Sequence, residues 1–406
     1  MMINRSYILL ICTLFCASSN TLHAESFNDF LKSQQDQTKG DFNQFRSSHE
    51  DEFEAYKKQL QDAFNQYKKS VSAVWGNKKS VIPNKKRDVS YQNKLKQRTI
   101  IDYKKGIVKV DIALDPRDAK NKDLVRKKMQ QALKDTLKRG RDKRSIIDIA
   151  KNPSQTKSSG PALLTGLIQS ADGNKLTGNN TSKFIKQQSN KLSISKTRGN
   201  DKKPRIIVST SFPMIPNHIK VRASKYKKQV TKYSSNMKLP PELVYAIMET
   251  ESAFNPNARS SVPAFGLMQL VPTSGARDAY RLLFKKDKVV SDRYLYNPDN
   301  NIKLGTAFIN KLYYSYLSGI NNAEARTWAA IAAYNTGAGN VFNTFAGKYR
   351  RSKFGNRSNW KKQALSNINS KSPEQVYQYL KRNLPHKETR HYIQNIRKRI
   401  PKYKAL

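Results

Sequence analysis

The chain has 406 residues, more than one ordinary domain holds, and is 37% apolar and 10% aromatic, which excludes a disordered polyelectrolyte and a single small scaffold. Seventy-six Lys and Arg stand against thirty Asp and Glu, a net charge of +46, so the expected partners are anionic: nucleic acid, acidic lipid headgroups or a charged wall polymer.

Arg5, the apolar run over 7–17 and Leu22-His23-Ala24 read as a secretory signal over residues 1–24. The run falls well short of the roughly 20 residues that span a bilayer. Both cysteines, Cys12 and Cys16, lie in this segment, so the mature chain would have neither disulfide nor catalytic thiol. A lipidated Cys16 is the less fitting alternative, because bulky Leu14 and Phe15 precede it. Residues 25–60 carry eight acids and five bases, which places the basic surface in 61–406.

Residues 25–213 read as an α+β amino-terminal domain. Apolar residues from Phe42 to Val74 recur at threes and fours, an amphipathic helix expected to dock on the strands of the same domain. Residues 99–103 and 107–112, joined at Gly106, form a predicted hairpin. A helix over 123–137, a second hairpin around 163–168 with a turn at 171–174, a short helix over 182–188 and a strand over 205–212 complete the domain. Residues 139–159 and 189–203, rich in Lys, Ser, Asn and Gly, are expected to be mobile surface loops. From residue 214 to 406 strand signals nearly vanish and helical spacing dominates: 221–233, 241–252, 302–317, 323–334, 373–380 and 389–399.

The helix that opens at Pro240-Pro241-Glu242 carries an inward stripe of Val244, Ile247 and Met248 that continues into Glu251. Glu249 lies on the opposite side, so of the two acids only Glu251 is expected to be buried. Desolvation raises a buried carboxyl's pKa and makes it a proton donor near neutrality. The bland alternative is a structural carboxylate paired with one of the many bases.

Further motifs decide between these. Glu251-Ser252-Ala253-Phe254-Asn255-Pro256, then Ser260, then Gly266-Leu267-Met268-Gln269, and later Ala333-Tyr334-Asn335-Thr336-Gly337 occur in an order that resembles the goose-lysozyme-like lytic transglycosylases, which cleave the glycan of bacterial peptidoglycan. Val74-Trp75-Gly76, Ile82-Pro83-Asn84-Lys85-Lys86, Val262-Pro263-Ala264-Phe265 and Tyr294-Leu295-Tyr296-Asn297-Pro298 resemble the membrane-bound lytic murein transglycosylase C group. Two departures stand out: no good lipid-attachment motif, and Pro263 where the wider family usually has Gly. The resemblance implies a lysozyme-like helical fold for 214–406. It also implies that Glu251 protonates the bridging oxygen between N-acetylmuramic acid and N-acetylglucosamine, then takes the proton of the muramyl C6 hydroxyl as a 1,6-anhydro ring closes. One carboxyl then suffices where glycosidases ordinarily use two; Asp278 and Asp299 read as surface caps.

Gly266 is expected to let the backbone approach the sugar, Met268 to form an apolar wall, and Gln269 to offer a donor and an acceptor to an acetamido group. By the resemblance Tyr334 holds the Glu251 carboxyl and Ser260 bonds the acetamido group or the oxocarbenium-like intermediate. Asn335 would pin the turn before Gly337, and Tyr392, which resembles a late family motif, would complete the groove. Plain packing is the alternative for Met268 and Asn335. His49, His218, His386 and His391 read as surface residues; no metal or cofactor is expected, and Asn301 reads as a helix cap. The expected partners are peptidoglycan glycan strands in the periplasm, with electrostatic attachment to anionic envelope polymers or the outer membrane, and no nucleic acid. A hydrolase of the same bond and a wall-binding protein without activity are the competing readings.

Overall fold

The computed structural model describes residues 51, 54–155, 158–260, 263–347 and 357–406, with the side chains of the last span from 359 onward. The signal expected at 1–24 and the start of the amphipathic helix lie outside the described residues. Residues 56–406 form one compact unit.

Its first half is organised by a five-stranded antiparallel sheet, in spatial order Arg87–Gln92, Gln97–Asp102, Ile107–Leu114, Pro204–Pro213 and Ser193–Arg198. The hairpin at Gly106 forms as expected, with that glycine at φ +67°. One face of the sheet buries Ile101, Val108, Val110 and Ile112 against the helix Lys122–Lys138 through Met129 and Leu133. The other face meets the helix over 54–75. There the side chains of Tyr91, Arg98, Asp111 and Ser209 lie side by side across four strands. Arg98 donates to Asp111 at 2.6 Å and stacks on the Trp75 ring at 4.0 Å, and Ser209 donates to the second Asp111 oxygen. A buried ion pair is tolerated here because its remaining donors and acceptors are satisfied.

The 54–75 helix does more than cover this sheet. Leu60, Phe64, Tyr67 and Val71 join the same core as the helical half, and Tyr56 reaches Phe265 with ring centroids 6.5 Å apart.

Several expectations are corrected. Residues 189–203 contain the edge strand Ser193–Arg198; its side chains are largely solvated, so backbone pairing rather than an apolar pattern holds it. Residues 139–159 contain the capped helix Ile146–Lys151, with Asp142 bound to Arg144. The segment 163–167 is a run of turns whose leucines plug the sheet core, and the second hairpin is reduced to the turn at 170–174 closed by one antiparallel bridge between Gln169 and Lys175. The helix expected at 221–233 is broken into His218–Ser224 and Lys227–Asn236. The helices Gly275–Phe284 and Ala338–Phe345 were not signalled by spacing.

His218, expected at the surface, is buried on Arg222 beneath the hairpin turn. Burial and the adjacent guanidinium push its pKa from 6.5 down to about 4. A methyl group on Gly106 would sit 2.5 Å from His218 Nε2, at a φ that disfavours side chains. Gly106→Ala should therefore cost about 2 kcal/mol in urea unfolding. Because the folded state resists protonating His218, its contribution is present above pH 6.5 and lost as pH falls toward 4; His218→Gln should unfold with a shallower pH dependence across that window.

Candidate active site

Glu251 sits in the last turn of the helix Pro241–Ser252, which starts with proline in its first turn and ends where Ala253 turns left-handed at φ 50°. Phe254 follows at φ 57°. Two consecutive non-glycine residues in this region cost energy that the packing around them must offset.

Both Glu249 and Glu251 are buried, which corrects the expectation that only one is. Their environments differ in charge. Glu249 accepts from Tyr403 Oη at 2.7 Å and pairs with Arg399 Nε at 2.9 Å, and these partners hold its pKa below the ordinary value against the effect of burial. Around Glu251 burial dominates and raises its pKa; Lys85, the Tyr392 hydroxyl and Lys86 oppose the shift, and Glu388 adds to it. The Tyr392 hydroxyl is buried and directed at Glu251 without a well-aligned hydrogen bond to any atom.

The loop after the helix is fixed from below. Asn301 is fully buried inside the helix Pro298–Lys311, whose cap is Asn297 rather than Asn301. Its Oδ1 accepts from Met268 N–H at 2.8 Å, and its Nδ2 donates to Phe265 O and Leu295 O at 2.9 Å each. Gly266, at φ +75°, is buried against this amide: a Cβ there would collide with Asn301 Nδ2. Its lack of a side chain permits that approach. Met268 is likewise core rather than groove wall, its Sδ filling the space that a Cβ on Gly305 would need.

Gln269, left-handed at φ 47°, donates through Nε2 to Gly266 O at 3.0 Å, so its donor is engaged and its buried Oε1 is the atom left unpartnered. Tyr334 donates to Met268 O at 2.8 Å rather than to the carboxylate, though it lies close enough for Glu251 to raise its pKa further after burial. Asn335 accepts from Thr389 Oγ1 at 2.7 Å, which ties the helix Ala323–Thr336 to the helix Lys387–Tyr403 that carries Tyr392. Thr389 gave no signal in the sequence beyond its place beside Tyr392.

Two cavities are lined by residues that interact with the carboxyl. One, of about 620 Å³, is walled by Gln269, Tyr334, Asn335, Phe308, Phe342 and Trp360. The other, of about 460 Å³, is lined by Ser260 together with Lys85, Lys86, Lys104 and Lys105 from the sheet half. Glu251 interacts with Tyr334 of the first and with Lys85 and Lys86 of the second. Asp278 lies in the first cavity and accepts from Tyr316 at 2.8 Å; Asp299 accepts from Tyr233 at 2.7 Å. Asn301→Ala would leave two buried backbone groups, Met268 N–H and Leu295 O, without partners, while Phe265 O keeps Leu270 N–H at 3.1 Å, and should cost about 2 kcal/mol in urea unfolding, at about 1 kcal/mol each.

Comparison with known proteins agrees with this architecture in sequence order. The family model for the membrane-bound lytic murein transglycosylase C N-terminal domain matches residues 53–225, and that for the transglycosylase SLT domain matches residues 228–356. The chain is 30% identical over 339 residues to the membrane-bound lytic murein transglycosylase C of Haemophilus influenzae, covering 83% of this chain and 87% of that protein. It is 32% identical over 330 residues to the protein of that name from Klebsiella pneumoniae, covering 80% and 84%, and 32% identical over 327 residues to that from Salmonella arizonae, with the same coverage. With both halves matched in order and relatives aligned over more than four fifths of their length, the chain belongs to the membrane-bound lytic murein transglycosylase C family of lytic transglycosylases.

Proposed function

We propose that the protein cleaves the β-1,4 bond between N-acetylmuramic acid and N-acetylglucosamine in peptidoglycan, with Glu251 acting as acid and then base. The observation that carries this reading is a buried carboxyl whose pKa is raised by desolvation and whose electrostatic partners Tyr334, Lys85 and Lys86 line two cavities. Protonated Glu251 gives its proton to the bridging oxygen as the C1–O bond breaks. The carboxylate so formed takes the proton of the muramyl C6 hydroxyl, whose oxygen bonds to C1 and closes the anhydro ring. No water enters, and the residue returns to its starting state.

A hydrolytic route would want a second carboxylate at the site. Glu388, which acts on Glu251 electrostatically, is exposed and paired with Lys85 at 3.7 Å; Asp278 and Asp299 are engaged with tyrosines. Within this reading Gln269 Oε1 accepts from an acetamido N–H, Ser260 lies along the second cavity, Tyr392 steadies the carboxyl, and Tyr334, Asn335, Gly266 and Met268 hold the frame. Residues 25–213 grip the strand and 214–406 cut it.

The relatives are named membrane-bound, while no helix among the described residues is long and apolar enough to cross a membrane. The proposed location is the periplasm after removal of residues 1–24, with the remaining net charge of +45, that is +46 less Arg5, holding the protein on anionic envelope surfaces, including the outer membrane.

Digested sacculi should yield muropeptides lighter by one water than lysozyme products, and mass spectrometry decides this. Glu251→Gln should lower kcat by about three orders of magnitude or more while sedimentation with sacculi is retained. The wild-type kcat/KM should fall as pH rises through the Glu251 pKa, which lies above 4.5, because the acid form is then lost. Tyr392→Phe removes a group that lowers this pKa and should move the falling limb to higher pH.

A further inference from the structure

We propose that the basic pocket formed by Lys85, Lys86, Lys104 and Lys105 binds a carboxylate of the peptide stem borne by the glycan strand at the cleavage site. This rests on the transglycosylase reading and extends it from the sugar to the stem.

The four lysines come from two turns of the sheet half, each pinned. In the first, Lys86 N–H donates to Asn84 Oδ1 at 2.9 Å, Lys86 O accepts from Tyr103 N–H at 2.9 Å, and Lys85 O accepts from Asn255 Nδ2 at 3.3 Å. Asn255 belongs to the motif that carries Glu251, so the helix end that places the carboxyl also places Lys85. In the second, the hairpin turn, Lys104 and Lys105 N–H groups donate to Asp102 Oδ1 at 3.1 and 2.8 Å. The acid lining the pocket is thus engaged with backbone amides.

The ammonium groups are under-neutralised. Lys85 has Glu388 at 3.7 Å, and among the described residues no ion pair forms at Lys86, Lys104 or Lys105. Half-buried Lys86 is disfavoured as a cation by burial, then by Arg399 and Lys104. Bringing like charges together costs energy that a bound anion returns. Hydroxyls and acetamido groups of the glycan are neutral, whereas the stem is the part of the strand that carries carboxylates. A lipid surface fits less well, because the pocket is a cavity of about 460 Å³ that also contains Ser260 and whose Lys85 and Lys86 act on Glu251 electrostatically.

The test uses the mature full-length chain, in a Glu251→Gln background for binding and the active form for turnover. The substrates are glycan strands with intact stems and the same strands with the stem carboxylates converted to methyl amides, because amidase treatment would bare a lactyl carboxylate on each muramic acid. Lys104→Ala with Lys105→Ala should weaken binding of strands with free stem carboxylates about five- to tenfold, raise their KM alike, and shift amidated strands much less. The Lys→Arg pair should restore the preference. Equal effects on both strands, or none, overturn the proposal. Loss of binding to phosphatidylglycerol vesicles with strand preference intact overturns it in favour of a lipid surface. If the strands bind with this preference but no anhydro product forms, the transglycosylase reading fails and the stem site stands.

Discussion

The two halves are riveted by one buried guanidinium. Arg222, in the helix His218–Ser224, donates to Ala253 O, to Tyr103 O at 2.7 Å and to His218 Nδ1 at 2.8 Å, and lies over the Tyr103 ring at 4.9 Å. These partners are carbonyls, an imidazole and an aromatic face, and burial lowers its pKa to about 10. A cation so enclosed is stable only while each donor is met. Ala253 is two residues past Glu251 and takes a left-handed backbone, so the position of the carboxyl is tied to the strand end at Tyr103. The hairpin turn at 104–105 and the helix end that carries the carboxyl are therefore linked through a single side chain.

A second constraint acts from the opposite side. Asn301 holds three backbone groups of the Phe265-to-Met268 loop and its neighbour Leu295, Ser252 Oγ donates to Leu267 O at 2.8 Å, and Tyr334 donates to Met268 O. Loop, helix end and the Ala323–Thr336 helix are thereby locked together. Ala253, Phe254 and Gln269 all hold positive φ within this knot, a concentration of backbone strain beside Glu251 that the surrounding hydrogen bonds sustain.

The pair Glu249 and Glu251 shows how neighbours set charge state when burial does not. Both carboxyls are removed from water, but one faces Arg399, Lys402 and Tyr403 and is held as an anion, while the other faces hydroxyls and more distant lysines and is pushed toward the acid. The same basic surplus that would bind any polyanion is, at Lys85 and Lys86, close enough to temper the acid's pKa. Charge here has both a local and a long-range part.

Much was legible in the sequence. The alternation around Gly106, the proline-led start of the Glu251 helix and the apolar stripe that ends in Glu251 are local signals, and local periodicity reports which way a side chain faces. The signals failed where a residue's role depends on a distant partner. Gly266 and Met268 read as groove residues because nothing near them in sequence shows Asn301 and Gly305 pressing on them. Glu249 read as exposed because its cations come from the last helix, some 150 residues later. Arg98, Asp111, His218 and Arg222 look like ordinary polar positions until strand register and helix docking bury them together. Local periodicity and motif order carried the Gly106 hairpin, the helix that bears Glu251 and the family; which polar groups are buried and paired was settled by folding, because desolvation and hydrogen bonding depend on neighbours that only the folded chain brings within a few ångströms.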